Sequence, residues 1–238
     1  MLKRTPSLTE QTKSYLKQRI LNNQFEAGRI PSETELAGAL GVSRTTIRDA
    51  LSRLELEGVI FRKQGAGTFV NEAGLQIRTR LEEIWSYEAM LQAHDYTTTT
   101  KILRVAETAL SLEEGFGLGD RFLAIRKLFL ADNLPVILTV NYIPTQLIQS
   151  GYTEQDFHPP IYEFLAAFCQ QHLSYYLSEI VPLNTPAWLS DILQIPTDKA
   201  MVSFEETGYN QENEPILRTY SYFKDDLLRL RLIRREAQ

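Results

Sequence analysis

The chain has 238 residues, 43% hydrophobic and 23% charged, with a formal net charge of −5. That is length enough for one large or two modest domains with cores of their own, in an ordinary soluble composition. The single cysteine, Cys169, excludes an internal disulfide and any metal cluster built on thiolates, and its apolar surroundings read as a buried structural thiol. The N-terminus lacks the apolar core of a signal peptide and no apolar run is long enough to cross a bilayer, so a cytoplasmic protein is expected, with no membrane partner.

The charge is unevenly spread. Residues 1–71 carry 11 basic and 7 acidic side chains, whereas the remainder carries 14 and 23. A basic head on an acidic body is the asymmetry expected when only one part meets phosphate.

Met1–Thr5 reads as a loose arm, with Lys3 and Arg4 within reach of a nearby phosphate backbone as the other reading. Ser7 to Asn23 is the first predicted helix, with Tyr15, Leu16, Arg19 and Ile20 at three-and-four spacing. After a polar exit, Ser32 opens a second helix as its N-cap, with Glu35 placed to close a capping box. Leu36, Ala37 and Leu40 form its apolar stripe and Gly41 stops it. Ser43 caps a third helix whose Ile47, Leu51 and Leu54 commit one face to a core, while Arg44, Thr45, Arg48 and Asp49 lie opposite. Gly58 ends it. Val59–Arg62 and Thr68–Val70 then flank Gln64-Gly65-Ala66-Gly67 as a small hairpin.

Two helices at a short glycine turn, the second with a cationic, hydroxyl-rich start, suit the major groove of DNA. A glycine tip beside Arg62 and Lys63 suits a wing on phosphate or in the minor groove, because glycine lets backbone N–H groups come close. Ser32–Val70 closely resembles the DNA-binding head of the GntR family of bacterial transcription regulators. The matching residues are Pro31-Ser32-Glu33, Glu35-Leu36-Ala37, Gly41 to Arg48, Ala50-Leu51, Leu54, Glu57-Gly58 and Gly65 to Val70. The resemblance implies a winged helix-turn-helix over 1–70. One position departs: the family usually has Arg between Glu33 and Glu35, where it commonly helps hold DNA, and this chain has Thr34.

Asn71-Glu72-Ala73-Gly74 breaks both period and charge sign, which places a linker at 71–80 and a second domain at 81–238. Leu81 to Leu91 is an amphipathic helix by pattern. A β-branched strand over Thr97–Ala106 and a short helix over Ala109–Phe116 follow. Strands Phe122–Leu130 and Val136–Tyr142 are joined at Ala131-Asp132-Asn133-Leu134-Pro135, and Pro160 starts a helix to about Gln171. Ser174–Val181 is a strand, and Thr185–Leu193 a helix capped by Thr185 with Pro186 in its first turn. Met201–Asn210 and Pro215–Phe223 form a second hairpin. Hairpins outnumber βαβ units, so the fold class is α+β with a mainly antiparallel sheet.

The order of elements over roughly 82–230 resembles the UTRA effector-binding domain of the HutC branch of GntR regulators, whose fold is like chorismate lyase. The parallels are Arg126…Ala131-Asp132…Pro135, Tyr142-Ile143-Pro144, Ile161-Tyr162…Leu165 and Glu214-Pro215…Phe223 to Asp226. Together the two resemblances imply a ligand-responsive regulator, most simply a repressor, that binds operator DNA as a homodimer on an inverted repeat. A small molecule in the C-terminal domain would set the spacing of the heads through the linker. No cofactor is implied.

For base reading, Arg44 and Arg48 are the candidates, since Arg pairs bidentately with guanine. Ser43, Thr45 and Thr46 can bond phosphate or a base edge, with Ser43 equally readable as a pure cap; Gln64, Gly65 and Gly67 form the wing tip. In sugar-phosphate-responsive relatives the pocket holds two Arg, two Glu and a Tyr. By spacing, this chain has Lys127, Phe129, Thr139, Leu217 and Phe223 there. One cation survives, which points to a less polar effector such as an acyl or aromatic carboxylate, with Lys127 taking the acid. The other reading makes Phe129, Leu217 and Phe223 ordinary core. Thr98, Thr99 and Thr100 lie where the family has a loop closing over ligand, and an edge strand is the alternative. Tyr162 matches a pocket aromatic. His94, His158 and His172 are scattered, so no metal site is expected. No catalytic motif is visible. A small-molecule enzyme fused to a DNA-binding head, or a DNA-organising protein with sequence-indifferent binding, are the alternative functions.

Overall fold

The computed structural model of the protein describes residues 6–76, 83–84, 86–110, 119–224 and 233. The chain splits into two compact units, one of Met1–Arg80 with Arg231–Gln238 and the other of Leu81–Leu230.

In the first unit, helix α1 (Leu8–Leu21) starts at Ser7, whose Oγ accepts the Glu10 N–H at 3.2 Å. Helix α2 (Glu33–Leu40) has both halves of its capping box: Ser32 Oγ accepts the Glu35 N–H, and Glu35 Oε2 accepts the Ser32 N–H at 2.8 Å. Gly41 closes it at φ +65°, a left-handed conformation that a side chain would strain. The turn is short, and α3 (Arg44–Leu56) begins at once under a Ser43 cap. Ile47, Leu51 and Leu54 are buried with Leu16, Ile20 and Leu36. Each such side chain contributes roughly 1.5–3 kcal/mol by leaving water. A two-residue strand β1 (Arg29–Ile30), too short to carry an alternation, pairs with β3 (Gly67–Val70), which pairs with β2 (Ile60–Lys63).

Residues 71–76 differ from the expected linker. Glu72–Leu75 is one turn of helix, α4, and Leu75 packs on the head's core. Asn71 Nδ2 donates to the Gly58 carbonyl at 2.8 Å, and Gly74 lies so close that a Cβ there would stand 1.9 Å from the same oxygen. The apparent break in pattern is thus a close backbone contact, which only glycine permits.

In the second unit, helix α5 (Tyr87–Ala93) is shorter than the pattern from Leu81 predicts; residues 81, 82 and 85 lie outside the described residues, as does most of the helix expected over 109–116. The strands are β4 (Thr98–Ala109), β5 (Arg121–Ala131), β6 (Leu134–Pro144), β7 (Tyr175–Asn184), β8 (Ala200–Tyr209) and β9 (Pro215–Phe223). They form one sheet in the order β4-β5-β6-β9-β8-β7, every pair antiparallel. Asp132 and Asn133, both at positive φ, make the two-residue turn between β5 and β6. At the second hairpin, Asn210 Oδ1 accepts the N–H groups of Glu212 and Glu214.

Helix α6 (Ile161–Phe168) and α7 (Ala187–Leu193) complete the unit. The Thr185 hydroxyl donates to the Lys199 carbonyl at 2.8 Å and does not cap α7; Pro186 occupies the cap position. Met90 and Leu91 of α5 pack with Phe129, Ile137 and Phe223, while Phe164 and Leu165 of α6 pack with Leu123, Ile125 and Leu217. Since side chains alternate along a strand, those sheet residues share one face, which α5 and α6 cover side by side. Leu189 and Leu193 of α7 pack with Leu128, Leu130 and Leu138, the opposite parity and so the opposite face.

Candidate functional site

Helix α3 of the head presents its N-terminal turns to solvent. Ser43, Arg44, Thr45 and Arg48 are exposed and Thr46 half-buried, while Ile47 and Ala50 between them are buried. The amphipathic pattern does this: anchoring at every third or fourth position leaves the intervening side chains outside. Ser43 acts as the cap, accepting the Thr46 N–H at 3.1 Å, and its Oγ also lies 2.8 Å from Thr46 Oγ1. Arg44 makes no ion pair among the described residues. Arg48 does: its Nε and Nη2 hold both oxygens of Glu33 at 2.9–3.2 Å. The guanidinium keeps the Glu33 carboxyl below its ordinary pKa. Glu33 therefore holds the Arg48 side chain in place, a contact that sequence spacing alone does not disclose.

Gln64, Gly65 and Gly67 are exposed at the tip between β2 and β3, with both glycines at positive φ. The Arg29 guanidinium lies beside Gly67, 3.6 Å from where a Cβ would be. It adds a cation to the wing that the sequence reading missed, because only the β1–β3 pairing brings it there. Arg62 is held by Glu55 and Ser52, and Arg53 is paired to Glu10.

In the second unit, a pocket of about 40 Å³ opens between the first turns of α5 and α6, over the sheet. Lys127, Phe129 and Thr139 line it, as does Tyr162. Strand register explains the grouping: Lys127 is opposite Thr139, and Asn141, two residues on, is opposite Thr219. Asn141 and Thr219 line the pocket too, joined by a 3.0 Å hydrogen bond from Thr219 Oγ1 to Asn141 Oδ1. Ser86, the cap of α5, with Tyr87 and Glu88 from its first turn, Pro160 and Ile161 from the start of α6, and Tyr176 from β7 supply the walls.

Lys127 is 2% exposed and donates from Nζ to the Pro159 carbonyl at 2.6 Å. Burial brings its pKa down to about 8, against the opposing pull of Glu88 and Glu163. Burial also raises the Tyr87, Tyr162 and Tyr176 hydroxyls, with Glu206 adding to the effect on Tyr87 and Tyr176. All three phenols are thus neutral donors at pH 7.

The remaining expectations fare differently. Leu217 is fully buried among Ile125, Phe164 and Leu165, and Phe223 packs with Phe129, Phe204 and the edge of Tyr87. Both share the pocket's face of the sheet but sit under α6 and α5, outside the pocket, so they are core. Thr98, Thr99 and Thr100 are not a loop; they begin edge strand β4, paired with Ala131, Leu130 and Phe129. Only Thr100 reaches the pocket's rim, donating to Glu88 Oε1 at 2.9 Å, while Thr98 accepts from Gln92. Cys169 is fully buried, its thiol pushed up to about 11. Its burial leaves it inert.

A basic helix-and-wing unit joined to an α+β unit with a small pocket is the plan of a one-component transcription regulator. Comparison with known proteins agrees. Residues 8–70 match the family described as bacterial regulatory proteins, gntR family, and residues 93–229 match the UTRA domain. The chain belongs to the GntR family, in its UTRA-bearing HutC branch. It is 25% identical over 216 residues to the HTH-type transcriptional repressor NagR of Bacillus subtilis, covering 89% of this chain and 88% of that one. It is 30% identical over 160 residues to the histidine utilization repressor of Pseudomonas putida, 66% of this chain and 59% of the relative. Among solved structures, the possible transcriptional regulator YydK of B. subtilis shares the fold with a TM-score of 0.77 at 14% identity, over 97% of this chain and all of that one. The protein is accordingly a DNA-binding transcription regulator with an effector domain.

Proposed function

We propose that this regulator is a cytoplasmic repressor that binds an inverted-repeat operator as a homodimer and is released by a small carboxylate effector. On the DNA side, Arg44 and Arg48 read base edges, with Ser43, Thr45 and Thr46 beside them. Gln64, Gly65 and Gly67 bring the wing to the backbone or minor groove, and Arg29 adds a phosphate contact. One head is small against the area that specific DNA complexes bury, and a two-fold pair supplies the rest.

The observation that carries the effector reading is the buried ammonium of Lys127 between the aromatic walls of Tyr87, Phe129, Tyr162 and Tyr176. A carboxylate replaces the Pro159 carbonyl as its partner, trading a neutral acceptor for a charged one. The pocket's position supplies the coupling. The wall formed by Ser86–Glu88 begins α5, the first helix after the boundary between the two units. An effector that favours one position of this turn thereby favours one spacing of the heads through the chain between residues 76 and 83. In this reading the protein regulates and does not catalyse.

The test is operator binding by fluorescence anisotropy, with and without carboxylates selected by calorimetry. Release of operator at saturation is expected. Unchanged affinity for operator with the effector demonstrably bound would refute the coupling.

A further inference from the structure

The charges around Lys127 narrow the effector further. Two carboxylates act on its ammonium, Glu88 from the first turn of α5 and Glu163 from the first turn of α6. Glu163 is exposed, and water screens it. Glu88 is different, because it forms part of the pocket wall. Its Oε1 accepts from Thr100 and its Oε2 from Ser86, at 2.9 and 2.8 Å, both neutral hydroxyls. Among the described residues Glu88 makes no ion pair. The pocket thus presents one buried cation and one anion whose partners are uncharged.

A simple monoanion that engages Lys127 leaves this site, built around a buried ammonium, with a net negative charge, and a phosphate ester adds more. Uncompensated charge in a desolvated site is expensive. A molecule bearing a carboxylate and a protonated amine neutralises both ends at once. Between them lie neutral donors and acceptors, Thr139, Asn141 and Thr219, suited to orient a short polar backbone.

We infer that the effector is a small zwitterion of the amino-acid class, its carboxylate on Lys127 Nζ and its ammonium on the Glu88 carboxylate. This rests on the reading of Lys127 given above. It also gives the ligand a direct grip on the turn that follows the unit boundary, since Glu88 lies on that turn. Ammonium binding draws Glu88 away from Thr100, and so loosens α5 from edge strand β4.

Full-length protein is titrated calorimetrically with the protein amino acids, their desamino acids and their decarboxylated amines. Hexose 6-phosphates form a fourth arm. At least one amino acid is expected to bind and release operator, with its desamino and decarboxylated counterparts at least thirtyfold weaker. In Glu88→Gln, the ratio between the amino acid's affinity and its desamino counterpart's falls at least tenfold. In Lys127→Met both affinities fall together. Circular dichroism and operator binding without ligand check that each variant folds. If desamino acids bind and depend on Lys127 while Glu88→Gln leaves the ratio unchanged, the zwitterion is wrong and the carboxylate reading stands. If Lys127→Met alters no ligand's affinity, the carboxylate reading itself falls. Binding by hexose phosphates alone, or by no amino acid, overturns the inference.

Discussion

Replacing Lys127 by Met tests whether a charged group is held in the body of the fold for binding at the expense of stability. The side chain is 2% exposed, and its pKa lies at about 8 against an ordinary 10.5. A depressed amine pKa means that the folded state disfavours the proton which the unfolded chain keeps. Below pH 8 both states are protonated, and the full penalty is present, about 3 kcal/mol for a shift of this size. Between pH 8 and 10.5 the folded state sheds its proton while the unfolded state retains it, so the penalty fades as pH rises. By pH 9.5 the native protein should regain roughly 2 kcal/mol relative to a Met variant that has nothing to titrate. The lost hydrogen bond to Pro159 offsets part of the variant's gain at neutral pH, by about 1–3 kcal/mol, but does not alter this pH dependence. Urea denaturation of both proteins at pH 7 and 9.5 measures the difference. Curves whose separation stays constant would refute the burial of a charged Lys127.

Arg44→Ala should weaken specific operator binding about tenfold or more and relax selectivity at one base position, read by anisotropy across single-base operator variants. Arg48→Ala should do the same at a second position; an equal loss on every sequence would assign it to phosphate instead. Glu33→Gln leaves the Arg48 charge in place but weakens the hold on its side chain, so discrimination at that second position should fall more than affinity for non-specific DNA. Gly74→Ala places a methyl group 1.9 Å from the Gly58 carbonyl and should destabilise the head by roughly 1–3 kcal/mol. An unchanged melting temperature for that variant would show that α4 does not pack as described.

Much of the head was legible because its determinants are local. Ser32 and Glu35 make a capping box between neighbours in the chain, Gly41 meets the left-handed turn on its own, and Ile47, Leu51 and Leu54 share a face by helical period alone. Strand identity in the body followed likewise from alternation and turn residues, such as Asp132-Asn133. The pocket could not be read in this way. Lys127 and Thr139 face each other across one hairpin, which spacing can suggest. Tyr176 and Thr219 join them only through the strand order β4-β5-β6-β9-β8-β7, and Tyr87 only through the packing of α5 on the sheet. Leu217 and Thr219 are two residues apart on one face of one strand, yet α6 covers the first and leaves the second in the pocket. Nor does any local pattern pair Glu33 with Arg48, bring Arg29 to the wing tip or fold Gly74 onto Gly58. The sequence alone settled most of the longer helices and strands, because those choices depend on residues a few positions apart; it missed the one-turn α4 and the two-residue β1, which exist through contacts with distant segments. Which polar side chains share an enclosure was decided by tertiary structure, because that depends on which distant strands become neighbours and where each covering helix ends.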